Sequence, residues 1–542
     1  MDGVPSNWTL IDLVRRQAAA YGEREFIAFE HGTSLSFADL HRESERLARN
    51  LAALGVKPGD RVLALVRNRI EFLLVMFATM RLAAIFVPVN TELKGAFLEH
   101  QLGNAEPRVI FVDAGLADAF DRVEGGAENL SATVVVAGPV PAAMAPALGV
   151  APVLTFDEFS ALDGDPGDVL VEPRPQDIAC ILYTSGTSGP SKGVLMPHAH
   201  CYLFGEGMAR AAAMTAQDRH YVCMPLFHAL GLMVQVLSSL IAGSWVYCVE
   251  RFSPNRWLED VRSCGATVTS ALGVAPEFIF RTAPSEFDQD HDLRIILAIP
   301  IAAEWGAAFE ARFGVKLLQG YGMTEVNVIC HTRDDDPLLP GLAGHVMEEF
   351  FEVRVADPET DDALRAGEIG EIVIRPKLAF CFSQGYFRMP ERTVEAWRNL
   401  WFHSGDAGRF GAEGRLFFVD RIKDRIRRRG ENISSFEVEQ VLNDHPDIVE
   451  SAVIGVPVDG AGGEEEVMAC IVTADGRDID NAALLDYCVE RMPRFAVPRY
   501  VEAMAELAKT ATGKIQKAAL RTSGITSRTW DRESIGYKIK RR

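Results

Sequence analysis

The chain has 542 residues, which is more than one ordinary domain needs, so two or more domains are expected. Hydrophobic residues make up 48% of the chain and charged residues 24%, a composition typical of a globular protein with a large core. The net charge of −20 argues against a general nucleic-acid-binding protein, because such proteins need basic surface to neutralise phosphates.

The nine cysteines are scattered, without a C-x-x-C pair and without a histidine at ligand spacing. This pattern predicts buried thiols in a reducing cytoplasm, and neither a disulfide framework nor a zinc site. No signal peptide is expected, since the first residues lack a charged segment followed by an apolar run. The longest apolar stretch, residues 72–89, is broken by Arg81, which predicts a buried helix followed by a strand and no membrane span.

Helical and strand patterns alternate along most of the chain. Leucines at helical spacing predict a helix over residues 37–55, and the apolar segments 60–66 and 70–84 predict a strand and the next helix. The same alternation returns at residues 256–272 and 305–322. Alternation of this kind indicates an α/β architecture with largely parallel sheets.

The pattern changes after Gly367. Residues 367–376 and 414–422 predict strands joined by short turns, and residues 434–457 predict a helix followed by a strand. A domain boundary is therefore expected near residues 420–424. The expected limits are an N-terminal domain over 1–422, a small C-terminal domain over 423–525 and a solvated basic tail over 526–542.

A glycine- and hydroxyl-rich segment, "YTSGTSGPSKGVLMPH" (residues 183–198), follows the apolar segment "DIACILYT", which predicts a buried strand. It does not match the Walker A loop, because Ser191 stands where the second glycine is required and Gly193 follows Lys192 in place of a hydroxyl residue. Its backbone amides, hydroxyls and lysine are nevertheless groups that bind phosphate. The alternative is a flexible surface loop.

Four further segments carry groups suited to a nucleotide site. "QGYGMTE" (319–325) offers an aromatic ring, a hydroxyl and a carboxylate that suits Mg²⁺, and "FHSGDAG" (402–408) is expected to place Asp406 in a tight turn facing both ribose hydroxyls. Residues 420–439 are strongly basic, and "KTATGKIQK" (509–517) is a polar glycine turn that carries Lys514. Taken singly, each is also explained as a turn, a helix cap, a solvated charge run or a tail lysine.

In this order, the segments resemble the motifs of the adenylate-forming superfamily of acyl-CoA synthetases, adenylation domains and luciferases, over residues 10–520. "YGMTE" and "RRRGENISSFEVE" are most similar to the branch that includes crotonobetaine/carnitine-CoA ligases. The resemblance implies an α/β fold with a large N-terminal domain of parallel-rich sheets, flanking helices and a small β-barrel-like subdomain. It also implies a small mobile α+β C-terminal domain.

The same resemblance implies an ATP-dependent acid–CoA ligase that uses ATP, Mg²⁺ and CoA. Such an enzyme activates a carboxylic acid as acyl-AMP with release of pyrophosphate, then transfers the acyl group to CoA and releases AMP. A stand-alone adenylation enzyme that loads a carrier protein in trans is one alternative, and an ATP-binding regulatory protein without catalysis is another. The sequence does not indicate which acid is used. It does not indicate the oligomeric state either, and it is compatible with a homo-oligomer.

The resemblance implies phosphate, metal and base contacts in three segments. Glu325 would hold Mg²⁺, Thr324 would lie near the α-phosphate, and Tyr321 would lie against adenine. This chain has "LAIPIAAE" where many members have a glycine-rich segment that lies against adenine. Ala302 and Ala303 stand at this place as candidate contacts of the base, and the resemblance does not decide between contact and no contact. The other residues implied to bind ATP are Thr184, Ser185, Gly186, Thr187, Ser188, Gly189 and Lys192 of the loop, with Gly320, Gly322 and Met323 beside Tyr321.

The remaining implied roles concern the ribose, the acid and CoA. Asp406 and Arg421 would hold the ribose, Lys423 matches the hinge between the domains, and Lys514 would bridge the carboxylate and the α-phosphate. His228 would line the acyl pocket and the path of the thiol, or else be a satisfied core histidine. Further candidates are Gly430 beside pantetheine, Phe227, Met233 and Val274 in the acyl pocket, and Arg425, Arg427, Arg428 and Arg429 on CoA phosphates, unless these arginines form a solvated basic face.

Overall fold

The structure is a computed structural model of the chain, which folds into two compact units. The first unit contains Met1–Glu352 and Ile374–Leu400, and the second contains Val353–Val373 and Trp401–Arg542. The residues that the structure describes are 3–93, 95–122, 133–138, 153–164, 169–184, 191–272, 275–299, 303–422, 426–428, 431–433, 435–457, 465–474, 477–492, 494, 496–509 and 515–537.

Strands and helices alternate through the first unit, as the sequence pattern predicts. The strands, in chain order through both units, are β1 (Glu25–Phe29), β2 (Ser34–Ser36), β3 (Arg61–Leu65), β4 (Ile85–Pro88), β5 (Val109–Asp113), β6 (Thr133–Ala137), β7 (Val153–Thr155), β8 (Ile178–Thr184), β9 (Lys192–Pro197), β10 (Arg219–Val222), β11 (Trp245–Cys248), β12 (Val268–Leu272), β13 (Ile295–Ile299), β14 (Lys316–Leu318), β15 (Gly320–Met323), β16 (Asn327–His331), β17 (Leu342–Val346), β18 (Phe351–Ala356), β19 (Gly370–Pro376), β20 (Trp397–Arg398), β21 (Trp401–Phe410), β22 (Leu416–Arg421), β23 (Ile426–Arg428), β24 (Glu431–Ile433), β25 (Ile448–Pro457), β26 (Glu465–Thr473), β27 (Tyr500–Ala503) and β28 (Trp530–Asp531).

The helices include one π-helix, Leu230–Leu237, and one 3₁₀-helix, Ala114–Arg122. The α-helices, in chain order, are α1 (Leu10–Tyr21), α2 (Phe37–Ala53), α3 (Ile70–Met80), α4 (Ala96–Ala105), α5 (Phe156–Ser160), α6 (His198–Ala211), α7 (Ser238–Ala242), α8 (Pro254–Cys264), α9 (Ala275–Phe280), α10 (Ala303–Phe313), α11 (Pro390–Ala396), α12 (Ser435–Asn443), α13 (Asn481–Arg491) and α14 (Lys517–Ser523).

Two seven-stranded sheets form the frame of the first unit. One has the strand order β7-β6-β5-β3-β4-β8-β9, and the other has the order β14-β13-β12-β10-β11-β1-β2. Neighbouring strands are parallel except for the edge pairs β8–β9 and β1–β2, which are antiparallel. Because helices connect successive parallel strands, this arrangement confirms the predicted α/β architecture.

The helices bury the apolar residues on which their prediction rests. α2 buries Leu40, Leu47 and Leu51, which follow the helical spacing read from the sequence. α3 buries every residue from Phe72 to Met80 and is followed by β4, which confirms a core helix and a strand over residues 72–89. Within the described ranges, no helix is long and apolar enough to cross a membrane. All nine cysteine side chains are buried, as predicted.

The "QGYGMTE" segment forms a hairpin in the first unit. β15 pairs antiparallel with β16, with an irregularity between Tyr321 and Gly322, and the turn between the strands contains Thr324 and Glu325. β16 in turn pairs antiparallel with β17. The two polar side chains predicted to face phosphate and metal are therefore carried by one tight turn between two strands.

The second unit contains a small α+β fold. Its four-stranded sheet has the order β25-β26-β27-β28, in which β26 and β27 are parallel and the two outer pairs are antiparallel. Val438 and Leu442 of α12 and Leu484 and Leu485 of α13 pack into one core with strand residues such as Ile471. This confirms the predicted small α+β fold near the C-terminus, whereas the predicted domain limits stay a prediction.

The prediction of a solvated basic tail is wrong for residues 526–537. Residues of this segment form β28, which pairs with β27, and Arg532 is buried and donates to the carbonyl oxygens of Val497 and Pro498 at 3.1 and 3.2 Å. Arg528 pairs with the buried Glu502 at 3.0 Å. The arginines thus satisfy buried oxygens of the sheet, a role that a count of basic residues does not reveal.

Candidate active site

The glycine-rich segment connects the two strands of the β8–β9 hairpin at one edge of a sheet in the first unit. Thr184 ends β8 and pairs with Lys192, which begins β9. The Thr184 hydroxyl donates to the Lys192 carbonyl oxygen at 3.4 Å. Residues 185–190 lie outside the described residues. The hairpin therefore places a hydroxyl and an ammonium side chain at the two ends of the predicted phosphate loop.

Helix α4 holds the C-terminal end of this loop. His100 Nε2 lies 2.9 Å from the carbonyl oxygen of Ser191, and Gln101 Nε2 donates to the Ser191 hydroxyl at 3.2 Å. Gln101 itself is buried. Ser191 is thus fixed by two side chains of one helix, directly before Lys192.

An extended segment, residues 384–387, pairs with β9 and brings Tyr386 next to Lys192. Two backbone hydrogen bonds of 2.9 Å and one of 2.7 Å join the segment to β9. Lys192 Nζ lies 4.2 Å from the centroid of the Tyr386 ring, a cation–π contact, and the Tyr386 hydroxyl donates to Glu325 Oε1 at 2.9 Å. The three side chains form a continuous contact chain of ammonium, ring and carboxylate.

Glu325 is the candidate metal ligand, and it is 5% exposed. Its Oε2 atom has no hydrogen-bond partner among the described residues. Burial raises the pKa of the Tyr386 hydroxyl and the Glu325 carboxylate raises it further, so Tyr386 is a neutral donor to Glu325. In the described part of the chain, no group of three His, Cys, Asp or Glu side chains gathers into a metal site. A single buried carboxylate nevertheless fits Mg²⁺ that arrives with nucleotide phosphates, because such ions take one or two protein carboxylates.

His200 of α6 forms a hydrogen bond with the turn that carries Thr324 and Glu325. Burial lowers the pKa of His200 to about 4, so its imidazole is neutral. His200 Nε2 lies 2.9 Å from the Thr324 carbonyl oxygen, and Asn327 Nδ2 lies 3.1 Å from His200 Nδ1. Because a carbonyl oxygen only accepts, Nε2 carries the proton and Nδ1 accepts from Asn327. Sequence reasoning missed this histidine, since "MPHAHCY" shows no local sign of the contact.

The hairpin requires glycine at position 322. A Cβ at Gly322 would lie 2.3 Å from the Asn327 carbonyl oxygen and 2.9 Å from Val328 Cα, both backbone atoms of β16. Asn327 has a φ of +89°, a conformation that Asn tolerates better than most residues. The predicted base-contact segment Gly320–Met323 is therefore a strand whose small residues let the two backbones approach.

His228 lies just before the π-helix, where π-type turns often mark functional sites. Its ring centroid is 4.4 Å from that of Phe227, and the side chain is half-buried. Met233, one of the predicted acyl-pocket residues, is fully buried in the same helix. A half-buried ring differs from the fully buried His198, His200 and His220 of this unit. The role of His228 in the acyl pocket stays a prediction.

In the second unit, Asp406 and Arg421 pair across the β21–β22 hairpin. Arg421 Nε lies 3.8 Å from Asp406 Oδ1, and the Asp406 side chain is 9% exposed. The prediction that Asp406 lies in a tight turn is wrong, because it lies within β21. The glycine of "SGD" has a φ of +72°, so it bends the strand locally without ending it. The structure therefore brings together the two residues predicted to hold the ribose.

The basic segment after β22 does not form a uniform solvated face. Arg428 is 3% exposed, and its Nε lies 2.7 Å from Oε2 of the buried Glu466. Buried in an ion pair, Arg428 is removed from the residues expected to meet CoA phosphates or solvent. The sequence predicted charge in this segment but not the acid that neutralises part of it.

A second buried network of this unit was not predicted. Lys517 Nζ contacts Glu439 Oε1 at 2.7 Å and the Ser435 hydroxyl at 2.6 Å, and that hydroxyl donates to Asp420 Oδ2 at 2.8 Å.

Several predicted site residues lie outside the described residues, and their roles stay predictions. They are Ser185, Gly186, Thr187, Ser188, Gly189, Val274, Ala302, Lys423, Arg425, Arg429, Gly430 and Lys514.

Comparison with known families shows where this arrangement belongs. Residues 14–387 match the model of the AMP-binding enzyme family, and residues 437–514 match that of the AMP-binding enzyme C-terminal domain. The chain belongs to the AMP-binding enzyme family. This confirms the resemblance inferred from the sequence motifs.

Relatives of this AMP-binding enzyme include several CoA ligases. The crotonobetaine/carnitine–CoA ligase of Salmonella arizonae is 30% identical over 515 residues, or 93% of this chain and 97% of the relative. ATP-bound MatB from Rhodopseudomonas palustris has a TM-score of 0.81 at 28% identity, covering 95% of this chain and 98% of MatB. The o-succinylbenzoate CoA synthetase MenE from Bacillus subtilis, in complex with its acyl-adenylate intermediate, has a TM-score of 0.80 at 25% identity, covering 95% and 98%.

Proposed function

We propose that the chain is an ATP-dependent acid–CoA ligase. It activates a carboxylic acid as acyl-AMP with release of pyrophosphate, then forms an acyl-CoA thioester and AMP. The observation that carries this proposal is the contact chain of Lys192, Tyr386 and Glu325 at the base of the glycine-rich hairpin, in a chain of the AMP-binding family. It brings a cation for phosphate oxygens and a carboxylate for a metal to the two sides of one tyrosine.

The hairpin residues are proposed to bind the β- and γ-phosphates of ATP. Lys192 supplies positive charge, and the Thr184 hydroxyl lies at the opposite end of the loop, where it would donate to a phosphate oxygen by turning away from the Lys192 carbonyl oxygen. The Thr324 hydroxyl is proposed to face the α-phosphate, and the contact of its carbonyl oxygen with His200 fixes the backbone from which it projects. Fixed donors need no reorganisation when charge develops on the phosphoryl oxygens.

Glu325 is proposed to hold Mg²⁺ through Oε2. When bound with ATP, Mg²⁺ neutralises phosphate charge and so favours attack of a carboxylate on the α-phosphorus. Tyr386 donates to the other oxygen, Oε1, and thereby fixes the orientation of the carboxylate. Glu325, Tyr386 and Lys192 thus act as one unit, in which the ring of Tyr386 separates the positive and negative side chains.

The remaining roles follow the family resemblance. Asp406 is proposed to accept from the ribose hydroxyls beside Arg421, and Lys514 to bridge the attacking carboxylate and the α-phosphate. Lys423 is proposed as the hinge that withdraws Lys514 before the thiol of CoA attacks, which uses one site for two half-reactions. The nine buried, unpaired cysteines favour a reducing compartment, so a cytoplasmic location belongs to the proposal.

A screen of carboxylic acids tests this function. Short, medium, aromatic and steroid-like acids are each incubated with ATP, Mg²⁺ and CoA, and AMP, pyrophosphate and thioester are quantified. At least one acid is expected to give the three products in equal amounts. ADP as the nucleotide product, or no AMP with any acid, would overturn the proposal. If AMP release requires a carrier protein in place of CoA, the acceptor in the proposal is wrong and the adenylation step stands.

A further inference from the structure

A buried carboxylate–imidazole pair lies directly beside Asp406 in the second unit. Glu371 of β19 and His403 of β21 have side chains that are each 6% exposed, and His403 Nδ1 lies 2.8 Å from Glu371 Oε2. A second carboxylate, Asp361 Oδ2, lies 3.9 Å from His403 Nε2. Ionisable groups are rarely buried together without a reason, because desolvation costs free energy that only close pairing offsets. None of the proposed contacts with phosphate, metal, ribose or CoA involves this pair.

The other oxygen of Glu371 holds the backbone that leads to Asp406. The Gly405 N–H donates to Glu371 Oε1 at 2.9 Å. The two oxygens of the Glu371 carboxylate therefore hydrogen-bond to His403 and to Gly405. Ser404, between them, donates to the Ile372 carbonyl oxygen at 2.6 Å and accepts from the Asp406 N–H at 3.0 Å. The segment from His403 to Asp406 is therefore fixed at each residue by Glu371, by Ile372 or by Ser404.

Gly405 is the point at which the backbone bends before Asp406. Its φ of +72° bends β21 at the residue before Asp406, and no atom lies within 4 Å of the position that a Cβ would occupy. Two hydrogen bonds hold Gly405: its N–H donates to Glu371 Oε1, and its carbonyl oxygen accepts from the Ile422 N–H at 2.9 Å. Of these two partners, Glu371 is the one that acts through a side chain. A hydrogen bond from an amide to a carboxylate is stronger than one between neutral groups, which suits a bent segment that must keep one orientation.

We infer that Glu371 is a positioning residue for the nucleotide sugar: by holding His403 and the Gly405 amide, it orients Asp406 toward the two hydroxyls of a ribose. This inference rests on the proposed function and extends it to a residue outside the nucleotide contacts. Glu371 is assigned no contact with the sugar or the phosphates. Its effect is therefore on the discrimination between ribose and deoxyribose, and only weakly on the chemical step.

The test compares ATP with 2′-deoxyATP in AMP release, using an acid accepted by the wild-type enzyme. Loss of a hydrogen bond to a charged group costs about 1.5–3 kcal/mol, or roughly tenfold or more in affinity. Glu371→Gln is expected to raise the KM for ATP about tenfold, to change the KM for 2′-deoxyATP much less, and to leave kcat nearly unchanged. Asp406→Asn is expected to lower the preference for ATP at least as far.

The matched control is Glu413→Gln, which changes an exposed glutamate in the turn of the same β21–β22 hairpin. It is expected to keep the wild-type preference for ATP. A merely structural role for Glu371 would lower activity with both nucleotides by the same factor, and that result would overturn the inference. If Glu371→Gln does not fold, Ser404→Ala tests the same positioning of Asp406, since it removes the contacts of the Ser404 hydroxyl with Ile372 and with the N–H and carbonyl groups of Asp406 while leaving Glu371 in place.

Failure of this inference is distinguishable from failure of the proposed function. If the wild-type enzyme releases AMP and Asp406→Asn loses the preference for ATP while Glu371→Gln and Ser404→Ala keep it, only the positioning role is overturned. If no acid provokes AMP release from the wild-type enzyme, the proposed function falls and the inference falls with it.

Discussion

Tyr386 is the side chain through which Lys192 of the β8–β9 hairpin and Glu325 of the β15–β16 turn, the proposed phosphate and metal ligands, are in contact. Its ring supports Lys192 and its hydroxyl orients Glu325. Because burial and the adjacent carboxylate raise the pKa of Tyr386, the hydroxyl keeps its proton and stays a donor. A substitution can therefore remove the Tyr386 hydroxyl and keep the aromatic ring.

Replacing Tyr386 by phenylalanine tests this function. The change removes the hydrogen bond to Glu325 and keeps the ring beneath Lys192. We expect kcat/KM for AMP formation to fall about tenfold, since a hydrogen bond to a charged group contributes about 1.5–3 kcal/mol. The Mg²⁺ concentration for half-maximal rate is expected to rise. Steady-state rates over a Mg²⁺ titration measure both.

Tyr537→Phe is the control for that titration, because its hydroxyl also donates to a carboxylate, Asp486, in the second unit. This variant is expected to keep the wild-type Mg²⁺ dependence. An unchanged Mg²⁺ dependence in Tyr386→Phe as well would show that Glu325 does not need its orienting hydrogen bond.

At the residue scale, local motifs predicted Lys192 and Glu325 as site residues but did not point to Tyr386, which lies between them. Tyr386 lies 61 residues from Glu325, and "SQGYF" carries no pattern that indicates a nucleotide site. Likewise, His200 and Glu371 contribute through partners far along the chain. A single sequence reveals side chains that share a short segment, whereas partners brought together by tertiary folding need coordinates.

At the element scale, the β15–β16 hairpin presents Thr324 and Glu325 from one turn, and the close approach of its strands depends on Gly322. Gly322→Ala would place a methyl group 2.3 Å from a carbonyl oxygen, so the strands must separate. Overpacking of this kind costs about 1–3 kcal/mol. We expect a lower melting temperature and a weaker ATP-induced increase in it, both measured by differential scanning fluorimetry.

Gly103→Ala is the matched control for the hairpin variant. Gly103 lies inside α4, and no atom is within 4 Å of the position of an added Cβ. Alanine in a helix interior is favoured over glycine by about 0.5–1 kcal/mol, so this variant is expected to melt at the same temperature or slightly higher. Equal behaviour of the two variants would contradict the close approach at Gly322.

Strand β10 provides a pH-dependent test of the core. Burial lowers the pKa of His220 from 6.5 to about 3. Between these values the unfolded chain binds a proton at His220 and the folded chain does not, so this residue lowers stability as the pH falls below about 6.5. We expect His220→Gln to melt with a shallower dependence on pH between 6.5 and 4.5 than the wild type. His31→Gln, at a side chain that is 63% exposed, should retain the wild-type slope.

Periodic elements were predictable because their burial repeats with the helix or strand period. The ends of α2, β3, α3 and β8 lie within four residues of the ends of the segments that the apolar pattern indicates. Three elements were not predictable in this way. The π-helix at Leu230–Leu237 has the same apolar character as an α-helix, β28 is two residues long, and Asp406 lies in a strand because a glycine bends β21 without ending it.

At the scale of the whole molecule, the proposed chemistry needs residues from both compact units. Thr184, Lys192, Thr324 and Glu325 belong to the first, whereas Asp406, Arg421 and Lys514 belong to the second. The family resemblance supplied this division of roles, and no local pattern in the sequence shows how the units act together. Half-reactions measured separately are therefore the appropriate readout.

Lys514→Ala separates the two half-reactions. We expect acid-dependent exchange of pyrophosphate into ATP to fall by about 10²–10³, as for loss of one positioned transition-state donor. Thioester formation from preformed acyl-AMP and CoA should remain near the wild-type rate, because Lys514 is assigned to adenylation alone. Lys509→Ala is the control, because Lys509 lies in the same segment as Lys514, residues 509–517. The Lys509 ammonium group pairs with Glu450 at 2.6 Å. Normal pyrophosphate exchange by Lys514→Ala would contradict the assignment.

The proposed function requires that a carboxylate oxygen of the acid attacks the α-phosphorus of ATP. The most direct measurement uses an accepted carboxylic acid labelled with ¹⁸O in both carboxylate oxygens, followed by mass spectrometry of the nucleotide after turnover with CoA. AMP that carries one ¹⁸O atom is expected, because the bridging oxygen of acyl-AMP leaves with AMP when the thiol attacks the carbonyl carbon. Unlabelled AMP, or ¹⁸O in pyrophosphate or inorganic phosphate, would contradict it.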